Sequence, residues 1–465
     1  MLKTLIGDEN FARGMQLYFD RHDGEATTIE HFYACFEQVS GQDLSGFRQW
    51  YSQPGTPQIT LAQSWSEHSQ TLSLTFTQDN PVTPQCQTPQ PMTLPLKLAV
   101  FDTTGNKLVE ETLIVSSKTT EWVFTGCPTR PLVSLNRGFS APIKLTQKLS
   151  DADRLRLAEI DDDPFNQWQA LQSLFTQEML ELAYSDKAVA DPGLITACAQ
   201  SVLRHKADPA YAALLLRLPD IAELMIVRRP ADPEALFKAR KHVQVALCEA
   251  LYEDMQAYLA TPTPQPFRPD AEQAGIRALR TAFIALLGAS PDKGAVHQPT
   301  RFEAADNMTE SLASLRALCA TDGPGKNLAL SAFYASWSDN PLVIDKWFSA
   351  QAAHGDASTI RDLLAHPDFD YSNPNRVRAV MAVFGMQNLS AFHARDGSGY
   401  ALLAETIETV DSQNGALAAR LLTAFEQWRS LDPEQSATAR NILEDLKALS
   451  LSQNSRDILS RMLGE

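Results

Sequence analysis

Residues 43–57, with the sequence DLSGFRQWYSQPGTP, mark the point at which the chain changes its structural period. Before this point, Leu44, Phe47 and Trp50 recur at the spacing of a helix. The prolines and the glycine at the end of the stretch stop that helix, and beyond Pro57 apolar and polar residues alternate as in a half-buried strand. The stretch therefore predicts the end of a helical segment and the start of a β-domain.

The segment before this point, residues 1–56, has the pattern of short helices separated by turns. Thr27 and Glu30 have the spacing of a capping box, which predicts that a helix begins there, and Gly41 is placed to end it. The apolar surface of this segment is larger than short helices can bury among themselves. It comes mainly from Phe11, Tyr18, Phe32, Phe36 and Trp50. We therefore expect this segment to expose an apolar patch.

Residues 57–146 contain several short runs with period two, separated by residues that favour turns. The alternating apolar positions include Ile59 and Leu61, then Leu72, Leu74 and Phe76, then Leu94, Leu96, Leu98 and Val100. Many short strands over a stretch of this length predict a small antiparallel β-sandwich. Its core is expected to contain Trp122, Phe124, Val133 and Leu135.

Residues 147–465 have helical periodicity, and an Asp-Pro or Asn-Pro pair recurs along them. The side chain of the first residue can cap a helix, and proline at the first helical position needs no N–H partner, so each pair predicts a helix start. The pairs are Asp163–Pro164, Asp191–Pro192, Asp208–Pro209, Asp232–Pro233, Asn340–Pro341, Asn373–Pro374 and Asp432–Pro433. Their irregular spacing predicts a large superhelical domain resembling an α-solenoid, without a strict repeat.

The composition excludes several classes of protein. The chain of 465 residues has a net charge of −16 at pH 7, which argues against a nucleic-acid partner. Its most basic stretch, Lys238 to His242, lies in a helical pattern and is interpreted as a solvated helix face. No apolar run is long enough to span a bilayer. The six scattered cysteines and the absence of a visible secretory signal favour a cytoplasmic protein with reduced thiols.

The usual chemical motifs are missing from this sequence. No two histidines have the H-E-x-x-H spacing of a zinc peptidase, in which both histidines bind one face of the metal. His31 and Cys35 lie four residues apart, but no further ligand is near them in the sequence, so we interpret them as part of an ordinary helix. The stretch from Asp396 to Tyr400 holds a serine between glycines and is interpreted as a turn between helices.

Several blocks of sequence nevertheless resemble the zinc-dependent aminopeptidase N family, in particular its bacterial alanyl aminopeptidase branch. The blocks are Gly14–His22, Asp43–Pro57, Phe139–Pro142, Asn307–Thr309, Asp345–Phe348, Asn373–Arg378 and Phe392–Tyr400. The resemblance implies that residues 1–56 are the last helices of a thermolysin-like catalytic domain, that residues 57–146 are the small β-sandwich, and that residues 147–465 are the C-terminal helical domain that covers the active site. The zinc ligands and the other catalytic residues of the family have no counterpart in this sequence.

The resemblance also suggests two substrate-binding residues. Arg378 and Arg420 match family positions that face the cavity through which peptides reach the zinc, and a guanidinium can meet a peptide's C-terminal carboxylate with two hydrogen bonds. The alternative for each is a surface ion pair. Because Arg376 and Arg378 lie at the same helix start, only one of them is expected to point into the cavity.

Two functional hypotheses follow. The first is the C-terminal portion of a zinc aminopeptidase that removes N-terminal residues from peptides, with no catalytic residue and no metal ligand in this chain. Its partners would be peptide substrates and the missing N-terminal and catalytic domains, and zinc would be the cofactor of the full-length enzyme alone. The second is a non-catalytic α-solenoid scaffold that binds peptides or a protein. The apolar surface of residues 1–56 favours the first.

Overall fold

Helices make up most of the fold, as the sequence predicts, with one small β-sheet region before the long helical stretch. The computed structural model describes residues 1–290, 292–293, 297–321 and 325–464. The chain divides into two compact units, the first Met1–Leu171 and the second from Gln172 onward. The domain limits expected near residues 56 and 146 stay a prediction.

The first unit begins with four helices, α1 Leu2–Ile6, α2 Asp8–His22, α3 Ile29–Ser40 and α4 Gln49–Ser52. They enclose a small core of Ile6, Tyr33, Phe36, Leu44 and Phe47. The capping box lies one residue later than expected, with Thr28 as the N-cap and His31 as its reciprocal partner. Gly41 ends α3 in the left-handed conformation, as expected.

The aromatic side chains of these helices are more buried than the sequence pattern suggests. Phe36 is fully buried, and Phe11, Tyr18, Phe32 and Trp50 are half-buried. The exposed aromatic residues are Phe19 and Tyr51, with 52% and 61% of their surface accessible. The ring of Phe36 is enclosed because α2 and α3 pack closely around it. The exposed apolar patch expected for this segment stays a prediction.

The β-strands follow as β1 Gln58–Ser66, β2 Thr71–Asp79, β3 Leu94–Phe101, β4 Lys107–Val115, β5 Thr119–Thr125, β6 Leu132–Leu135 and β7 Lys144–Gln147. They form a four-stranded sheet in the order β5-β2-β1-β7 and a three-stranded sheet in the order β4-β3-β6. All pairs are antiparallel except β1 with β7, which run parallel.

The core of this region consists of the alternate residues that the sequence pattern marks. Leu74, Phe76, Leu96 and Leu98 are completely buried, and their neighbours along each strand point to the other face. Of the four residues expected to fill the core, Phe124, Val133 and Leu135 are buried and Trp122 packs half-buried against them.

Two further helices, α5 Asp151–Ile160 and α6 Pro164–Tyr184, begin the helical stretch. Arg130 binds Asp153 near the start of α5 through two parallel hydrogen bonds of 2.9 and 2.8 Å. On α6, Leu171, Phe175 and Met179 are buried.

The remaining helices, short 3₁₀ segments aside, are α7 Pro192–Arg204, α8 Pro209–Leu215, α9 Ile221–Val227, α10 Pro233–Ala260, α11 Ala271–Ala289, α12 Gln298–Ala304, α13 Met308–Thr321, α14 Lys326–Trp337, α15 Pro341–Ala352, α16 Ala357–Leu364, α17 Pro374–Val377, α18 Val383–Gln387, α19 Leu389–Phe392, α20 Ser398–Asp411, α21 Gly415–Leu422, α22 Pro433–Ala448 and α23 Gln453–Leu463. A π-helical turn, Arg378–Ala382, joins α17 to α18. All seven Asp-Pro and Asn-Pro pairs stand at helix starts, as predicted.

One buried ion pair ties two of these helices together. Arg280 of α11 and Glu310 of α13 form two hydrogen bonds of 2.8 and 2.9 Å, and both side chains are about nine-tenths buried. Arg280 also donates to the carbonyl of Thr261, 2.8 Å away. Because several partners satisfy the guanidinium, its burial is tolerated and the register between α11 and α13 is defined.

Candidate functional site

The helix start that contains Arg376 and Arg378 is held by the residues around it. The side chain of Asn373 accepts a hydrogen bond from the backbone N–H of Asn375 at 3.0 Å, and Pro374 takes the first helical position. Arg376 is buried, with its Nε 2.6 Å from Asp345 Oδ1 and its guanidinium 4.6 Å from the centre of the Phe348 ring. It also donates to the carbonyl of Asp368. Arg376 therefore has a structural role.

Arg378 lies two residues further on and is exposed. Its Nη1 donates to Asn375 Oδ1 at 3.0 Å, and within the described residues no acidic side chain pairs with it. The residue opens the π-helical turn Arg378–Ala382, a feature often found where a helix is adapted to a function. Most of the guanidinium is thus free to bind a ligand.

Arg420 stands in the last turn of α21 and is also exposed. Its backbone carbonyl accepts a hydrogen bond of 2.7 Å from the hydroxyl of Thr423. The structure thus leaves both guanidinium groups accessible to solvent.

The expected turn is present at Asp396 and Gly397, whereas Ser398 to Tyr400 form the start of α20. Gly397 adopts a φ of 70°, and the side chain of Asp396 accepts a hydrogen bond from the N–H of Ser398 at 3.0 Å. A Cβ at Gly399 would lie 2.3 Å from the carbonyl oxygen of Phe392, so no other residue fits there. This serine is therefore part of a helix start that packs against α19.

No metal site is formed by the described parts of this chain. Among residues 1–290, 292–293, 297–321 and 325–464, no three His, Cys, Asp or Glu side chains lie close enough together to hold a metal ion. His31 instead acts at the start of α3, where its Nδ1 accepts a long hydrogen bond of 3.4 Å from the N–H of Thr28. These residues do not supply the donor set that a zinc ion requires.

The second unit contains a cationic cavity that the sequence does not predict. The cavity has a volume of about 330 Å³ and is lined by Arg240 and Lys241 of α10, Arg316 of α13, and His354 beyond α15. The interpretation of the basic stretch as a solvated helix face is therefore wrong for Arg240 and Lys241. It fits Lys238 and His242, which are exposed. Nothing in the local sequence reveals the difference, because Arg316 and His354 come from helices far along the chain.

In the part of the chain that the structure describes, no helix is both long and apolar enough to cross a membrane. None of the six cysteines, all of which lie in the described residues, forms a disulfide, and all except the half-exposed Cys86 are buried. Burial raises the pKa of the Cys198 thiol to about 12, so this thiol stays protonated and unreactive.

Comparison with known families covers nearly the whole chain. Residues 55–148 match the family described as "Domain of unknown function (DUF3458) Ig-like fold". Residues 151–464 match the family described as "Domain of unknown function (DUF3458_C) ARM repeats". The two matches agree with the observed sheets and with the helical stretch after them.

Individual relatives show the same correspondence. Aminopeptidase N of Escherichia coli (strain K12) is 34% identical over 465 residues, covering 97% of this chain and 53% of the relative. Aminopeptidase N of Caulobacter vibrioides is 36% identical over 480 residues, covering 100% of this chain and 55% of the relative. A crystal structure of Legionella pneumophila aminopeptidase A in complex with aspartic acid superposes with a TM-score of 0.83 at 27% identity, covering 99% of this chain and 55% of that one.

The chain spans about half the length of the curated relatives it matches. The family of ARM-repeat domains alone accounts for residues 151–464, which is more than half of the chain. The chain belongs to the DUF3458_C family, and over nearly its whole length it corresponds to the C-terminal part of bacterial aminopeptidase N.

Proposed function

We propose that this chain is the cavity-covering C-terminal part of a cytoplasmic zinc-dependent aminopeptidase, an enzyme that removes N-terminal residues from peptides. The observation that carries the proposal is the match to proteins named Aminopeptidase N over 97% to 100% of the chain. The partners would be peptide substrates and the N-terminal and catalytic domains of the same enzyme, with no role for nucleic acid or membrane.

In this proposal Arg378 and Arg420 bind the C-terminal carboxylate of a peptide. Arg378 is suited to the task because its helix start is held in place by the buried Arg376 and the Asn373 cap, while its own guanidinium is exposed. Arg420 is equally accessible at the end of α21. An arginine can form two parallel, charge-assisted hydrogen bonds with a carboxylate, which a lysine cannot.

Zinc bound in the complete enzyme would supply an activated water for attack on the first peptide bond. We assign no chemical step to this chain, because its described residues gather no metal-binding group. Its contribution is to bind and orient the peptide. The chain alone is therefore expected not to hydrolyse peptides.

Peptide binding tests the role of the two arginines. The purified chain is titrated with Ala-Ala-Ala and with the same tripeptide amidated at its C-terminus, using calorimetry. We expect the free acid to bind about tenfold more tightly, since a hydrogen bond to a charged group contributes about 1.5–3 kcal/mol.

Arg378→Gln and Arg420→Gln should each reduce this preference for the free acid. Arg440→Gln is the matched control, because Arg440 is exposed and paired with Glu444 at 2.8 Å. Equal binding of the acid and the amide would contradict the proposed role.

Hydrolysis of alanine p-nitroanilide tests whether the chain alone lacks aminopeptidase activity. The purified chain is assayed with added zinc and again with a chelator. No activity is expected in either case, and activity that survives both chelation and removal of host enzymes would overturn the assignment. If peptides bind with no preference for a free carboxylate and without hydrolysis, the non-catalytic scaffold becomes the better description.

A further inference from the structure

The cationic cavity in the second unit gathers positive charge from separate elements. Arg240 and Lys241 extend from α10, Arg316 from α13, and His354 from the turn that follows α15. The volume of about 330 Å³ falls within the range of small-molecule sites, about 300–1,000 Å³. The cavity is therefore large enough to enclose more than an inorganic ion.

The positive charges lack carboxylate partners. No Asp or Glu belongs to the described lining, and no described acidic side chain forms an ion pair with Arg240, Lys241 or Arg316. Arg240 donates through Nε to the carbonyl of Pro219 at 3.2 Å, which leaves its terminal nitrogens available.

Two acidic residues lie near Arg240 but are already engaged. The Asp220 carboxylate lies 3.2 Å from Arg217. Glu223 accepts a hydrogen bond from the N–H of Asp220 at 2.8 Å. Neither carboxylate belongs to the described lining of the cavity. Desolvation outweighs the favourable charges of Asp220 and Glu223, so the pKa of Arg240 is lowered.

Partial desolvation of these positive charges is unfavourable in the empty protein. Desolvation lowers the pKa of both Arg240 and Arg316. Desolvation, together with the charges of Arg316 and Lys326, holds the pKa of His354 below its usual range, although His354 is exposed. Partly desolvated cations around a concave site are characteristic of anion binding, because a bound anion offsets the cost of desolvating their charges.

Apart from the polar side chains of Gln244 and Thr281, the rest of the described lining is apolar. Small residues of α11 and α13 form the floor: Ala285, Gly288, Ala289, Ala313, Ala317 and Ala320. The two helices approach closely, since a Cβ at Gly288 would lie 2.6 Å from the Cβ of Ala317. Phe237, with 42% of its surface exposed, adds an aromatic face. A ligand that fills the cavity must therefore have an apolar part as well as a charge.

We propose that this cavity binds a small organic anion in which a carboxylate or phosphate group is attached to an apolar body. Arg240, Lys241 and Arg316 contact the anionic group, and the alanine floor with Phe237 contacts the body. The site is separate from Arg378 and Arg420, and the proposal does not depend on their role.

Calorimetry on the purified chain tests this binding with four probes. Phenyl phosphate and phenylacetate carry both features, inorganic phosphate has only the charge, and benzyl alcohol has only the apolar body. We expect one or both aromatic anions to bind at least about tenfold more tightly than the two partial probes. The comparison of the two aromatic anions identifies the preferred group. If neither aromatic anion binds more tightly than benzyl alcohol, the proposal is wrong.

Substitutions then locate the bound probe. Arg316→Gln and Lys241→Gln should each weaken the better aromatic anion about tenfold, since each removes a charged partner. Lys238→Gln is the matched control on the same helix, because Lys238 is exposed and its amine lies 2.6 Å from Glu234. Equal weakening by the control would show a general charge effect and overturn the assignment.

A second variant tests the role of the apolar lining while the charges stay unchanged. Ala285→Leu fills the floor and leaves every cation in place, so it should weaken the aromatic anion and leave any binding of inorganic phosphate unchanged. Circular dichroism melting shows whether each variant keeps the fold. Undiminished binding of the aromatic anion to both Ala285→Leu and Arg316→Gln would place it outside this cavity.

Proton uptake supplies an independent readout. A bound anion offsets the charges of Arg240, Lys241, Arg316 and Lys326, and it should therefore raise the pKa of His354. The C2–H resonance of His354 is followed against pH with and without the aromatic anion. Binding should tighten as pH falls through the raised pKa, because the protonated ring favours the anion. An unchanged His354 titration at saturating probe would contradict the assignment.

Discussion

At the scale of single residues, the blocks that reveal the family mostly serve the fold. Asp345, Phe348 and Arg376 belong to two of these blocks and meet in one buried cluster. Phe392 at the end of α19 and Gly399 in the first turn of α20 pack closely against each other. A sequence pattern that identifies a family therefore need not mark its chemistry, because residues that satisfy one another in the interior are equally constrained.

Removal of the carboxylate from the buried pair tests this view. Asp345→Ala leaves the guanidinium of Arg376 buried beside Phe348 without its anion, and we expect a loss of about 3 kcal/mol in the free energy of unfolding. Asp339→Ala is the control, because Asp339 is exposed and such surface substitutions usually change stability by less than about 0.5 kcal/mol. Urea denaturation measures both variants. Equal stabilities would show that the pair does not hold the helix start.

The pair between Arg130 and Asp153 should make stability depend on pH. The hydrogen bonds from Arg130 lower the pKa of Asp153 from 3.8 to about 2. Since the folded pKa is depressed, the pair stabilises the first unit above about pH 4, and this contribution is lost as pH falls from 4 to 2. It amounts to at most about 2 kcal/mol, because Arg130 is largely exposed to solvent.

Thermal melts of the wild type and Asp153→Asn, compared from pH 6 to pH 2, measure this contribution. The variant should be less stable at pH 6, and the difference should shrink towards pH 2. A difference that stays constant over this range would contradict the assigned cause.

At the scale of elements, the helix starts depend on local capping. Asp191 accepts hydrogen bonds from the N–H groups of Gly193 and Leu194, at 2.7 and 3.3 Å. Asp191→Ala should therefore cost about 1 kcal/mol of stability, and Asp191→Asn should retain most of it. Asp186→Ala, in the exposed turn just before α7, is the control. Denaturation midpoints of the three variants distinguish a cap from a general effect of charge.

The contact between α2 and α3 depends on a residue without a side chain. A Cβ at Gly14 would lie 2.4 Å from the ring of Phe36, which is fully buried. Gly14→Ala should therefore destabilise the first unit by about 1–3 kcal/mol, despite the higher helix propensity of alanine. The adjacent Arg13→Ala leaves this contact intact and should be nearly neutral. Stabilisation by Gly14→Ala would show that the two helices separate easily.

At the scale of the whole molecule, charge rather than fold governs solubility. The net charge of −16 at pH 7 corresponds to a pI near 5.1. We expect solubility to be lowest at about pH 5, where charge repulsion between molecules vanishes, and to rise towards pH 7. Ammonium sulfate precipitation at a series of pH values measures this. A minimum far from pH 5 would point to association through apolar residues such as Phe19 and Tyr51 instead.

The sequence by itself determined the class of the fold, the helix starts and the family, because alternation, Asx-Pro capping and contiguous blocks are local properties of a chain. It did not show that Arg376 is buried while Arg378 is exposed, or that Phe36 is enclosed. Nor did it show that Arg316 and His354 meet Arg240 and Lys241 around one cavity. Those outcomes depend on which helix faces come together, and the cavity residues, from 75 to 114 positions apart, meet only after the helices have packed. Tertiary structure therefore decided the cationic site, since no short segment of sequence contains it.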